Sequence, residues 1–151
     1  MFEEKQHLIS KWILLVFSIL FALLIYNHRT DFMQLYRSPD LWIIISIFLL
    51  LYFIRLKTRI DKQGIYIRFI PFIWNKTIPW DEVEKAYGRT YTLMDFGGWG
   101  YRFSSQGVAY NAKGKHGLQL ILKNGKRIMI GTQKPQEIEN ILLQIKTGTN
   151  G

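Results

Sequence analysis

The sequence predicts an α+β protein: an N-terminal two-helix transmembrane hairpin, then a strongly bent antiparallel β-sheet or barrel of about six or seven strands, capped by a C-terminal helix. Three observations predict it. Two apolar runs, residues 12–26 and 41–57, dominate the first third of the chain. From Thr58 onward apolar side chains recur at every second residue. Near the end Ile138, Ile141, Leu142 and Ile145 recur at the i, i+3, i+4, i+7 spacing of one buried helical stripe. The expected organisation is a hairpin over 1–57 (spans about 8–27 and 39–56), a domain over 58–147, and a polar tail over 148–151.

Residues 1–11 read as a mixed-charge lead-in. The first apolar run extends back to Leu8, with Trp12 and Tyr26 as interfacial aromatics and Lys11 near the end, where it can snorkel. The second run opens at Ser38-Pro39-Asp40, a helix-start signal in which Ser38 caps, Pro39 fits the first turn and Asp40 suits the dipole. Arg55, Lys57, Arg59 and Lys62 follow it, and Lys5 and Lys11 precede the first run, whereas the connector holds Arg29 and Arg37. The positive-inside rule then places both termini on the cytoplasmic side of a bacterial cytoplasmic membrane, as a multi-pass protein. Neither run carries an ionisable residue between residues 12 and 26 or between 41 and 54, which argues against an ion path through the hairpin.

The strand signals follow in order. Residues 58–61 and 65–69 flank Lys62-Gln63-Gly64, a hairpin signal. Residues 75–87 resume the alternation, and Pro79 marks an edge strand or a bend. Residues 89–93 extend it, and residues 95–100 read as a loop. Leu118, Leu120 and Leu122 alternate toward Asn124-Gly125, a two-residue type I′ turn signal, and Ile128 and Ile130 return on the inner face. Pro135 opens the final helix.

This layout resembles the pleckstrin-homology superfold and, more closely, the bacterial PH-like domains that follow two-helix hairpins in small membrane proteins. The residues that carry the resemblance are Thr58-Arg59-Ile60 with Gly64-Ile65-Tyr66-Ile67-Arg68, then Ile78-Pro79-Trp80-Asp81-Glu82-Val83, and finally residues 120–130 with Gly131-Thr132-Gln133-Lys134-Pro135 leading into the helix. The resemblance implies a binding or scaffolding module rather than a reaction.

The chain has 151 residues, no cysteine and a net charge of +9, and from Arg55 onward 16 basic residues face 7 acidic ones. The absence of Cys excludes disulfides, thiolate nucleophiles and Cys-ligated zinc. A tethered basic domain meets anionic lipid headgroups first, so nucleic acid is set aside as a partner. Gly97-Gly98-Trp99-Gly100 lacks phosphate-loop spacing. His7, His28 and His116 are scattered, and the acidic cluster Asp81, Glu82 and Glu84 has no base or metal partner. No catalytic set, metal site or cofactor is therefore expected. The candidate binding residues are Arg89, Trp99, Tyr101, Arg102, Lys113 and Lys115, a basic set interleaved with aromatics. The expected function is a non-catalytic binding or scaffolding module at a membrane surface, with anionic headgroups, another membrane protein or a second copy as partner. The alternative is a small enzyme or transport-accessory subunit with its site in residues 95–116, supported by Asp95, Arg102, Asn111 and His116.

Overall fold

A computed structural model of the chain describes residues 1–29, 31–92, 100–104 and 107–148. It divides into two units, Met1–Leu8 with Arg55–Gly151, and Ile9–Ile54.

The larger unit is built on nine strands among the described residues: β1 (Phe2–His7), β2 (Arg55–Ile60), β3 (Gly64–Ile70), β4 (Ile73–Pro79), β5 (Val83–Thr90), β6 (Gly100–Ser104), β7 (Gly107–Asn111), β8 (His116–Leu122) and β9 (Arg127–Thr132). They form a four-stranded antiparallel sheet, β1-β2-β3-β4, and a five-stranded sheet, β5-β8-β9-β7-β6. The second sheet is mixed, because β7 and β9 run parallel. The single, wholly antiparallel barrel implied by the PH-like resemblance is thereby corrected to two sheets, one with a parallel pair.

Alternation builds the first core layer. Leu56, Thr58 and Ile60 of β2 point inward with Ile65, Ile67 and Phe69 of β3, all buried, while Arg55, Lys57 and Arg59 point out. Asp61 closes the β2–β3 turn, its carboxylate accepting from the backbone N–H groups of Gln63 and Gly64. Pro79 ends β4, the edge strand of its sheet, where a missing N–H breaks no ladder. In the second sheet Gly117 and Gly131 lie directly opposite each other. A Cβ at Gly117 would meet Met129 Sδ at 2.5 Å and the ring of Tyr91 at 3.1 Å, and one at Gly131 would meet Tyr91 Oη at 3.1 Å. The glycine pair thus makes room for Tyr91, which is buried with Ala109 and Met129.

The β8–β9 turn differs from the two-residue type I′ form that Asn124-Gly125 predicts. Gly125 N donates to Leu122 O, Leu122 N donates to Lys126 O, and only Gly125 takes a positive φ, of 80°. That is a three-residue loop, a type I turn completed by a left-handed glycine. The C-terminal helix, α4 (Pro135–Gly148), buries Ile138 and Leu142 as the stripe predicts. The polar tail expected over 148–151 begins at its last residue and otherwise lies outside the described residues.

The smaller unit holds α1 (Lys11–Asn27), α2 (Phe32–Arg37) and α3 (Pro39–Phe53). Phe17 and Phe48 meet edge to face at 5.0 Å, joining α1 to α3. The connector between the two apolar runs carries α2, capped by Asp31, whose Oδ1 accepts from Met33 N and Gln34 N. Ser38 sits at the start of α3, but its hydroxyl donates back to Leu35 O rather than capping the helix.

The transmembrane hairpin is not borne out. No helix among the described residues is long and apolar enough to cross a membrane. At 1.5 Å per residue the 17 residues of α1 and the 15 of α3 cover about 25 and 22 Å, short of a roughly 30 Å hydrocarbon core. The physical reason is that α1 covers little more than the first run itself, and the second run is shared between a helix and a strand. Residues 2–7 form a strand, so the first helix starts at Lys11. The second run stops being helical at Ile54, and its Leu56 is an inward residue of β2 with no exposed surface. The multi-pass placement in a cytoplasmic membrane, with both termini inside, falls with the spans it rested on.

Candidate anion-binding face

The outward side of the first sheet collects cations in register. On β2 the outward residues are Arg55, Lys57 and Arg59, and on β3 they are Tyr66 and Arg68. On β1 they are Glu3, Lys5 and His7, because Phe2, Glu4 and Gln6 turn inward. Pairing places Lys5 opposite Lys57, and Lys57 opposite Arg68. Three cations therefore stand in one row across three strands. Directly opposed like charges destabilise a sheet, by an amount comparable to the ~0.2–1 kcal/mol that favourable pairs contribute.

Two carboxylates answer part of the charge. Glu3 Oε1 lies 3.0 Å from Lys57 Nζ and 3.8 Å from Lys5 Nζ, so it bridges the first two cations of the row. The Lys57 ammonium, by hydrogen bond and charge, holds the Glu3 carboxyl below the ordinary glutamate range. Asp61 pairs with Arg59 at 3.1 Å. Arg68 makes no ion pair among the described residues and instead lies over the ring of Trp74, 5.9 Å from its centroid. Trp74 is 65% exposed. Beside this row runs a groove of about 350 Å³ lined by Lys57, Arg59, Tyr66, Arg68, Asn75 and Thr77, among others.

The strand that completes the row is held by a buried polar clasp. Glu4 accepts from Thr132 Oγ1 at 2.6 Å, Gln133 N at 2.8 Å and Gln6 Nε2 at 3.0 Å, and Gln6 Nε2 also reaches Gly131 O at 2.8 Å. Both Glu4 and Gln6 are buried. Most buried polar groups in proteins are bonded, and here the bonds tie the first sheet's edge to the end of β9, leaving Gln6 Oε1 unsatisfied. Lys5 owes its position to residues facing the other way.

The six residues singled out from sequence fall elsewhere. Trp99 lies outside the described residues, as do residues 95–98 of the expected loop. Arg89 sits on β5 beside a cavity of about 80 Å³ with Thr90, His116, Thr132 and Glu139. Thr90 Oγ1 and His116 Nδ1 are 3.3 Å apart. Tyr101 on β6 stacks on Tyr110 of β7 at 5.3 Å and 13°. Burial first, then the neighbouring Tyr110, pushes the Tyr101 hydroxyl upward, and burial does the same for Tyr110. Lys76 donates to Tyr110 Oη at 3.0 Å. Arg102 pairs with Ala109 in the β6–β7 ladder. Lys113 and Lys115 lie in the turn before β8, where their carbonyls accept from Gln133 Nε2 and Tyr91 N. The set does not converge. Tyr101 belongs to packing, and Lys113 and Lys115 offer backbone oxygens to the fold.

The alternative site in residues 95–116 draws on Asp95, Arg102, Asn111 and His116, of which the last three lie among the described residues. Asn111 is fully buried, and its Oδ1 accepts from Gly100 N at 2.9 Å. Asp95 lies outside the described residues. Among the described residues no group of three or more His, Asp or Glu side chains could hold a metal ion.

A family model matches residues 8–147, and its description reads "Family of unknown function (DUF6141)". Comparison with curated proteins and with solved structures returns no match.

Proposed function

Since the chain belongs to this family of unknown function, which supplies no activity to inherit, we propose from geometry that the protein is a non-catalytic binding module. It takes an anionic surface, of acidic protein or of lipid headgroups, on the outer face of the first sheet. The observation that carries this reading is the row Lys5, Lys57 and Arg68, set side by side by strand register and flanked by Arg55 and Arg59.

The magnitude is testable. Each Lys or Arg near an anionic surface contributes about 1 kcal/mol, so replacing Lys5, Lys57 and Arg68 together by Gln removes about 3 kcal/mol, on the order of 100-fold in affinity. The full chain is sedimented with neutral vesicles, with vesicles containing phosphatidylglycerol, and with beads bearing polyglutamate, at low and high salt. Binding to an anionic arm that weakens with salt and is lost in the triple variant supports the module. Absence of binding to both anionic arms in low salt sinks it.

A further inference from the structure

We propose that the anion held by this face is a phosphate group, seated between Lys57 and Arg68; the inference rests on the anion-binding reading above and names its ligand. The row Lys5, Lys57, Arg68 contains two gaps between neighbouring cations. The protein fills the first itself: one oxygen of Glu3 contacts both Lys57 and Lys5. This shows that an oxyanion fits between two cations set opposite each other on neighbouring strands. The second gap, between Lys57 and Arg68, holds no carboxylate among the described residues.

Three features of that gap select phosphate over carboxylate. Directly opposite residues have Cβ atoms about 4.5–5.5 Å apart, so an ammonium and a guanidinium rising from them flank an anion on two sides. A carboxylate offers two oxygens in one plane and one charge. A phosphate monoester offers three terminal oxygens and nearly two charges, enough for Lys57 as a point charge and the Arg68 fork in bidentate contact. Second, the Trp74 ring lies against the Arg68 guanidinium, which lowers the entropy cost of fixing a long side chain. Third, the groove beside the gap, about 350 Å³ and lined by Asn75, Thr77 and Tyr66, leaves room for the group that the phosphate esterifies. That group comes from one of two sources, a soluble phosphate ester or a phospholipid headgroup.

The test uses the full chain and four probes: pyrophosphate, vesicles of phosphatidylcholine alone, vesicles containing phosphatidic acid, and polyglutamate. Binding is read by calorimetry or sedimentation, with circular dichroism confirming that each variant folds; Arg68 is exposed, so its replacement leaves the core intact. The expected result is binding of pyrophosphate or of phosphatidic acid vesicles that weakens at least tenfold in Arg68→Gln and by less in Arg68→Lys, which keeps the charge and loses the fork. Pyrophosphate binding assigns a soluble ester; vesicle binding without pyrophosphate binding assigns a headgroup. Polyglutamate binding with neither phosphate arm overturns the phosphate assignment while the anion-binding reading stands. Phosphate binding that Arg68→Gln leaves unchanged overturns the seat. Binding in no arm overturns both.

Discussion

Both sheets of the larger unit carry arginines and lysines, and they use them in opposite ways. In the second sheet the basic residues are spread over β5, β6, β9 and the turns on either side of β8, and Lys113 and Lys115 serve the fold through their carbonyls. In the first sheet Lys5, Lys57 and Arg68 come from three strands and land in one row. The difference teaches that a count of cations does not locate an anion site. Register narrows the choice, because long side chains that are opposed or diagonal on neighbouring strands come close enough to share one ligand.

The largest test asks which unit owns the end of the second apolar run. Leu56 is fully buried in the sheet, whereas Leu50 on α3 is 59% exposed. Leu56→Ala costs about 2–5 kcal/mol in denaturant unfolding, while Leu50→Ala stays within about 0.5 kcal/mol. Equal costs would break the division of the run between helix and strand.

The second sheet's glycine pair comes next. Gly117→Val forces a side chain against Met129 Sδ and the Ile130 carbonyl, and overpacking of this kind costs about 1–3 kcal/mol. A wild-type denaturation midpoint would show that Tyr91 does not need the space.

Of similar size is the clasp behind the cation row. Glu4→Gln turns one carboxylate oxygen into an N–H₂ donor, set either against the Thr132 hydroxyl or against the Gln133 N–H and Gln6 amide that now donate to the carboxylate. Leaving such buried donors unmet costs about 1–3 kcal/mol. Glu3→Gln, on the outward side of the same strand, removes a solvent-screened pair and costs less than Glu4→Gln. A reversed order would refute the inward placement of Glu4.

The smallest effect is the most specific. Lys5→Gln relieves an opposed like-charge pair, so stability is unchanged or rises by a few tenths of a kcal/mol at low salt, while affinity for anionic vesicles falls. A loss of both together would mean that Lys5 supports the fold rather than the site. The Glu3 carboxyl gives a pH readout. Its folded pKa is lowered by Lys57, so its contribution is present above the unfolded pKa and is lost as pH falls through the folded one. In NMR titration its midpoint lies below the ordinary range and moves up in Lys57→Ala.

Much of the larger unit was legible. The alternation at Leu118–Leu122 marked β8, the Ile138 stripe marked α4, and Pro79 marked an edge. These elements bury apolar residues at one fixed period, which a sequence displays openly. β1 was not legible. Its inward residues include Glu4 and Gln6, so both faces of the strand are polar and no hydrophobic period exists. Only the donors on Thr132 and Gln133, far along the chain, explain why a carboxylate turns inward. The candidate site was missed for the same reason: Lys5 belongs to a lead-in that showed no strand signal.

By itself the sequence determined the α+β class, the strand-rich second half and its terminal helix, because burial of apolar side chains at periods of 2 and 3.6 is a local code. Tertiary structure alone decided that the second apolar run ends in a β-strand, that Phe2–His7 join the sheet, and that three distant cations share a row. Those outcomes depend on pairing between strands, where a shift of one residue would send every side chain to the opposite face.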